Sequence, residues 1–106
     1  MQHIGFFTIF LQASYLLPTI MAIKREIFLQ HLGLHLRNLR LSKNITQFDL
    51  GSIINKDRQS IQRVESGKVN PTIYYLQELS DGLQIPLSEI VNFKIPEKNK
   101  KNKNTR

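Results

Sequence analysis

The sequence predicts an all-α protein, a compact five-helix bundle that contains a helix-turn-helix. Between about residues 26 and 93 the apolar residues recur at helical spacing, and alternating apolar and polar runs stay short. Residues that favour helix starts and helix ends divide this region into short segments. Two of these segments are joined by a turn of three or four residues, which is the outline of a helix-turn-helix.

Capping residues and apolar periodicity together place the five helices. They are predicted from about 26 or 30 to 42, at 47–54, at 58–66, from a cap at 72 to about 82, and at 88–91. The predicted N-caps are Thr46, Asp57 and Thr72, and the predicted left-handed ends are Asn44 and Gly67. The residues expected to face the core are Leu32, Leu36, Leu39, Leu50, Ile53, Ile54, Ile73, Leu76, Leu79 and Leu83.

The third predicted helix lies in the segment DRQSIQRVESGK and is too polar to be explained by packing alone. Ile61 and Val64 are its apolar residues, and their spacing places both on one narrow face. The other exposed positions carry Arg58, Gln59, Gln62 and Arg63, with no acid among them. Arg pairs bidentately with guanine and Gln with adenine in the major groove, so this face has the chemistry of a DNA-reading surface.

Several spaced features accompany this helix. They are Arg40 at the end of the first helix, Thr46-Gln47 at the start of the second, the segment SIQRVESGK, Pro71-Thr72, and the ending LQELSDGLQIPLSEI. In this combination the chain resembles the Cro/phage-repressor type of helix-turn-helix, also called the xenobiotic-response-element family, over about residues 32–91. The resemblance implies a lambda-repressor-like bundle that binds operator DNA, usually as a dimer on a two-fold site.

The resemblance also implies roles for the matching residues. Those that lie where the family reads base edges are Arg58, Gln59, Gln62 and Arg63. Those implied to contact DNA phosphates are Gln47, Ser60, Lys68 and Asn70. Arg40 and Glu65 resemble a buried pair that ties the first helix to the third, and we interpret this pair as structural.

Four residues depart from the family pattern. Gly51 replaces a usual Ala, Asn55 and Gln84 stand where Gly is common, and Lys56 replaces an apolar turn residue. Asn55 can occupy its position because Asn tolerates positive φ. Lys56 is expected to lay its stem along the core edge while its amine reaches solvent.

The N-terminal 25 residues form an apolar extension without formal charge from Ile4 to Ile23, followed by Lys24 and Arg25. A signal peptide would need a basic start and a small-residue cleavage site, which are missing. A membrane anchor would be near the minimum length and is interrupted by polar residues and a proline. We favour a physiological start at Met21, which makes the first 20 residues an upstream-start artefact or a loosely structured extension. Membrane association is therefore not expected.

From residue 94 onward the chain carries six Lys or Arg and one Glu, a net charge of +5. Such a segment, with few apolar residues, is expected to be disordered. It would act either as a solubilising tail or as an electrostatic arm that adds affinity for phosphates. The predicted DNA-binding domain is thus 26–93, between the extension at 1–25 and the tail at 94–106.

The composition argues for a nucleic-acid partner and against catalysis. The formal charge is +7 and the pI about 10.0. The lack of cysteine excludes disulfides, thiolate metal sites and cysteine nucleophiles. His31 and His35 are four residues apart, but no third metal ligand is evident. No catalytic constellation is recognisable, so neither an enzyme nor a cofactor or metal site is expected.

These observations predict a cytoplasmic, nucleoid-associated regulator of transcription that binds double-stranded DNA as a homodimer. The alternative is the antitoxin of a toxin–antitoxin module, with the same domain used for autoregulation and a toxin protein as partner. Leu34 and Leu41 share a helix face separate from the core stripe, and Phe48 is also expected outside it. These three are either isolated exposed residues or a surface that packs on the N-terminal segment or on a partner chain.

Overall fold

The computed structural model describes residues 2–96, with side chains described for residue 14 and from residue 16 onward, and this part of the chain is helical without strands. The helices are α1 (Gln2–Ser42), α2 (Gln47–Ile54), α3 (Arg58–Glu65), α4 (Ile73–Leu83) and α5 (Leu87–Ile90). The all-α class and the five helices are confirmed. The predicted tail begins at residue 94, and its part from residue 97 onward lies outside the described residues.

Helix α1 begins much earlier than predicted. It contains 41 residues and passes through Pro18 without ending, whereas its predicted start was residue 26 or 30. A proline inside a helix removes one helical hydrogen bond. The neighbours Leu16, Leu17, Met21 and Ala22 are good helix formers, and an existing helix gains one hydrogen bond for each residue added. The extension is therefore helical rather than loosely structured, while a start at Met21 stays a prediction. No helix within residues 2–96 is long and apolar enough to span a membrane.

The core lies where α1, α2, α3, α4 and α5 meet. Its buried apolar residues are Leu29, Leu32, Leu36, Leu50, Ile61, Val64, Leu76, Leu79, Leu83 and Ile90. Two predicted core residues are wrong, because Ile53 is 59 % exposed and Ile73 is 67 % exposed. The buried side of α2 is centred between Leu50 and Gly51, and Ile53 lies about 110° around the helix from it. Ile73 is the first residue of α4, and the buried residues of this helix begin only at Leu76.

The ends of the short helices follow the predicted capping chemistry. The side chains of Thr46, Asp57 and Thr72 accept hydrogen bonds from the backbone N–H groups three residues later. The residues with left-handed φ are Asn44, Asn55, Gly67 and Gln84, at 58°, 61°, 76° and 58°. The predictions for Asn44, Asn55 and Gly67 are confirmed, so each helix between residues 46 and 67 starts and stops on local signals.

Gly33 sets the distance between α1 and α3. A Cβ atom at this position would lie 2.5 Å from the carbonyl oxygen of Val64, too close for any larger residue. One turn earlier, the Cα of Gln30 is 2.9 Å from the Cβ position of Gly67. The end of α3 therefore packs directly on the α1 backbone, a contact not predicted from the sequence.

The segment after α5 returns to α1. The ring of Phe93 lies 5.3 Å from that of Phe28 and 5.6 Å from that of His35, centroid to centroid. The Nε2 atom of His35 is 2.7 Å from the carbonyl oxygen of Glu89, so the imidazole can donate to it. His31 and His35 are both half-buried, and His35 ties α1 to α5.

Candidate nucleic-acid interface

Helix α3 is attached to the domain along one edge. Ile61 and Val64 are 1 % and 3 % exposed and insert into the core. The carboxylate of Asp57 accepts the Ser60 N–H at the start of the helix, over a distance of 2.8 Å. A helix of only eight residues is marginal by itself, so this attachment is what keeps it formed.

The opposite side of α3 carries the polar face predicted from the sequence. Arg58, Gln59 and Arg63 are exposed, and within residues 2–96 no hydrogen bond or ion pair engages their side chains. Gln62 is only half-buried and faces α1, where Gln59, Gln62 and Arg63 share a groove with Glu26 and Gln30. Two guanidinium groups and an amide are thus presented outward with their donors unused.

An ion pair locks the far end of α3 to α1. The guanidinium of Arg40 donates to both carboxylate oxygens of Glu65, with Nε–Oε2 at 2.6 Å and Nη2–Oε1 at 2.9 Å. Its Nη1 also donates to the carbonyl of Ile45 at 2.8 Å. Arg40 is 6 % and Glu65 8 % exposed, so the pair is removed from solvent. The two parallel hydrogen bonds of such a pair fix the orientation of α3 relative to α1. Loss of either partner would leave an uncompensated charge in the interior.

Gln47 joins this network at the start of α2. Its amide Nε2 donates to Glu65 Oε1 at 3.0 Å, and the residue is half-buried. Thr46 Oγ1 accepts the N–H of Asp49, whereas the N–H groups of Gln47 and Phe48 have no partner inside the helix, so the start of α2 keeps donors suited to an anion. Gln47 therefore lies at that end with one side-chain donor already engaged.

Ser60 lies on the α4 side of α3. It is half-buried, and its hydroxyl forms a hydrogen bond with the phenol of Tyr75. Burial raises the pKa of Tyr75 above 10.0, while the Ser60 bond and nearby Lys56 partly oppose the rise. The phenol is therefore neutral at physiological pH and available as a donor. Ser60 is thus half-buried like Gln47 and Gln62, and its hydroxyl is engaged by α4.

The turn between α2 and α3 is held against α4 by Lys56. Its Nζ lies 3.5 Å from Glu78 Oε1 and 5.5 Å from the centroid of the Tyr75 ring. The sequence predicted that this amine would reach solvent, but it pairs with Glu78 on α4 instead. An exposed pair adds little stability, but it keeps this cation away from the outward face of α3.

Lys68 and Asn70 flank the outward face on two sides. Lys68 lines the groove on the α1 side together with Gln59 and Arg63. Asn70 lines a second groove, on the α4 side, which Gln59, Ser60 and Arg63 also border. The positive φ of Gly67 redirects the chain directly after α3, so both exposed side chains lie beside α3 although they follow it in sequence.

Arg37 was not predicted from the sequence as a site residue. It is exposed and lines a groove with Gln47, Phe48 and Arg58 where α1, the α1–α2 turn and the start of α3 meet. Its position three residues before Arg40, on a neighbouring part of the helix surface, was the available signal. This groove adds a cation beside the open N-terminus of α2.

Comparison with known proteins agrees with this architecture. Residues 36–90, slightly more than half of the chain, match the HTH_3 helix-turn-helix family. The chain therefore belongs to this family of Cro/C1-type DNA-binding domains, and the predicted resemblance is confirmed. No curated protein matches the chain significantly.

Solved structures that resemble the chain include two regulators of this kind. The restriction-modification controller protein C.AhdI from Aeromonas hydrophila has 31 % identity and a TM-score of 0.57, covering 58 % of this chain and 90 % of its own. An HTH_3 family transcriptional regulator from Vibrio cholerae has 21 % identity and a TM-score of 0.57, covering 61 % of this chain and 37 % of its own. The second likeness concerns the fold alone.

Proposed function

We propose that this protein is a sequence-specific DNA-binding regulator of transcription that places α3 in the major groove. The observation that carries the proposal is the outward face of α3, where Arg58, Gln59 and Arg63 have no partner within residues 2–96. The donors of an unpaired Arg match the two acceptors of guanine, and the donor and acceptor of an unpaired Gln amide match N7 and the N6 amino group of adenine. Gln62, nearer α1, reads the edge of the same site.

The surrounding grooves supply the phosphate contacts. The proposed contact residues are Gln47, Ser60, Lys68 and Asn70, to which we add Arg37. Gln47 presents the open N-terminus of α2, which favours an anion. Lys68 and Arg37 are exposed cations that supply sequence-independent affinity and register. Arg40 and Glu65 do not touch DNA in this proposal, and they hold α3 at the angle that the groove requires.

The regulator acts as a homodimer on a two-fold operator. One domain reads only a few base pairs through the four side chains of α3, and two copies double the site that is recognised. Bound at a promoter, such a dimer either excludes RNA polymerase or recruits it.

Selection of bound sequences from random DNA with the full chain tests this function. The expected result is a palindromic site with half-sites about one helical turn apart. Enrichment of no sequence would contradict the proposal. The same selection with Gln59→Ala should lose preference at one position per half-site, whereas Asn38→Ala, an exposed amide on α1 outside all three grooves, should enrich the parent site.

A second, narrower candidate is control of a restriction–modification system. It is favoured by the 31 % identity to C.AhdI over 90 % of that controller's length. The selected site should then lie upstream of neighbouring genes for a DNA methyltransferase and an endonuclease. A neighbouring toxin gene, or a second small protein that co-purifies stoichiometrically, would favour the antitoxin alternative instead.

A further inference from the structure

Helix α1 carries a row of exposed aliphatic side chains along the side that faces away from the core. We call this row the outer ridge, and its members are Leu16, Ile20, Ile23, Ile27, Leu34 and Leu41. Each of them is 39–55 % exposed. The core side of the same helix is formed by Leu29, Leu32 and Leu36, which are at most 6 % exposed. The helix is therefore apolar on two opposite sides, although only one of them is covered within the chain.

The outer ridge has the spacing of a coiled-coil seam. Ile20, Ile27, Leu34 and Leu41 are seven residues apart and occupy one heptad position, usually called a. Leu16 and Ile23 occupy the d position, which continues at Gln30 and Arg37. On a straight helix such a row drifts by about 20° per heptad, and a left-handed supercoil removes the drift. A second helix is thus the shape that covers this row.

We infer that the outer ridge pairs with the outer ridge of a second copy of this chain in an antiparallel coiled coil. In an antiparallel pair each a position packs beside a d position of the other helix. With Ile27 beside Gln30 of the second copy, the layers are Leu16 with Leu41, Ile20 with Arg37, Ile23 with Leu34, and Ile27 with Gln30. Every layer then contains at least one aliphatic side chain.

The distribution of polar residues selects the antiparallel direction. Gln30 and Arg37 are the polar d residues, and both lie in the C-terminal half of the ridge. A parallel pair would place Arg37 directly against Arg37 of the second copy and bring two cations together. In the antiparallel pair the stem of Arg37 packs on Ile20 while its guanidinium reaches solvent. Two copies of the outer ridge are therefore complementary only in the antiparallel direction.

The length of the ridge is sufficient for a stable pair. From Leu16 to Leu41 it spans 26 residues, or about 39 Å of helix. That is between three and four heptads, the length over which a coiled-coil pattern becomes significant. The inference needs a chain that begins before Leu16, and so departs from the start at Met21 favoured from the sequence. It stands whether or not α3 reads DNA, although Gln30 and Arg37 also border the grooves beside α3.

Cysteine cross-linking tests both the contact and its direction, because the chain contains no cysteine. Leu16→Cys and Leu41→Cys are made as separate full-length variants, mixed and oxidised. The expected product is a mixed disulfide dimer, with little self-linking of either variant. In the antiparallel pair the two copies of residue 41 are about 37 Å apart, far beyond the Cα separation of about 7 Å that a disulfide allows.

The outcomes of this experiment are distinct. If each variant links to itself as efficiently as to the other, the association is parallel or unordered and the inference is overturned. The lack of any mixed dimer would also overturn it. Arg25→Cys, exposed on a different side of α1, serves as the control and should not link to Leu41→Cys.

A disruption experiment gives independent support. Replacing Ile27 and Leu34 by Lys should convert the full-length dimer to a monomer by analytical ultracentrifugation, with helical circular dichroism retained because both side chains are exposed. Met21→Lys, at a 56 % exposed position outside the ridge, should leave the dimer intact. A dimer that survives the double change would overturn the inference, as would a parent chain that is monomeric at all concentrations or associates only with lipid vesicles.

Discussion

Arg40 and Glu65, 25 residues apart in sequence, form a buried bidentate ion pair that joins the end of α1 to the end of α3. The carboxylate of Glu65 accepts two hydrogen bonds from Arg40, with Nε–Oε2 at 2.6 Å, and a third from the Gln47 amide, so most of its acceptor sites are satisfied. This single cluster connects α1, α2 and α3, so the orientation of the outward face of α3 depends on groups that are themselves hidden from solvent.

Glu65→Ala should reduce the free energy of unfolding by about 3–5 kcal/mol, because it leaves the Arg40 guanidinium buried without its partner. Urea denaturation measures the change. The double variant Arg40→Met/Glu65→Met should lose less than the sum of the two single variants, since no charge is stranded. A loss below about 1 kcal/mol for Glu65→Ala would show that the pair contributes no more than a surface salt bridge.

Gln59→Ala and Lys68→Ala should weaken DNA binding in different ways. Loss of Gln59 should weaken binding to the selected operator by about 1–3 kcal/mol and leave random DNA nearly unaffected. Loss of Lys68 should weaken both and lower the slope of log affinity against log salt by about 1. Fluorescence anisotropy over a salt series distinguishes them. Equal effects of Gln59→Ala on operator and random DNA would reassign Gln59 to the phosphate contacts.

Arg37→Ala should behave like Lys68→Ala, because Arg37 lies in the groove beside the start of α2 rather than on the outward face of α3. The expected result is a weaker affinity for every sequence and a reduced salt slope, with the preferred site unchanged. Arg25→Ala removes the same charge from another part of α1 and is the matched control. If the two variants bind DNA equally well, Arg37 is not a phosphate contact.

Tyr75→Phe should reduce the free energy of unfolding by about 1 kcal/mol through loss of the hydrogen bond to Ser60. It should also change the response to alkaline pH. Burial raises the pKa of Tyr75 in the folded chain above its unfolded value of 10.0, so the folded state binds the phenol proton more tightly. That contribution is complete below pH 10 and is lost as the pH rises through the folded pKa.

Thermal melting between pH 8 and 11 measures this difference. The parent protein should lose stability more steeply above pH 10 than Tyr75→Phe does. Tyr74→Phe, at a 69 % exposed neighbouring position, is the control and should follow the parent curve. Parallel curves for the parent and Tyr75→Phe would contradict the link to Tyr75.

Much of the fold could be predicted because its signals are local. The N-caps at Thr46, Asp57 and Thr72 act on N–H groups three residues away, and the left-handed ends at Asn55 and Gly67 depend on the residue itself. Helix α2 was therefore predicted with its observed bounds, and α3 within one residue at its end.

The errors arose where burial depends on distant parts of the chain. Ile53 and Ile73 have apolar side chains on plausible faces, but no other element covers them. The bond between Ser60 and Tyr75 and the place of Arg37 beside Gln47 likewise join residues on different helices. Such contacts join residues that are far apart in the chain, so local sequence patterns do not predict them.

The sequence alone determined the helical class, the short helices from residue 46 to 67, and the polar character of α3, because capping and periodicity act over three or four residues. The tertiary structure decided which sides of those helices are covered. It drew Ser60 inward, engaged one donor of Gln47 with Glu65, and left the outer ridge of α1 exposed. The physical reason is that burial and pairing depend on which helices meet, and at Gly33 that meeting is set by how closely two backbones can approach.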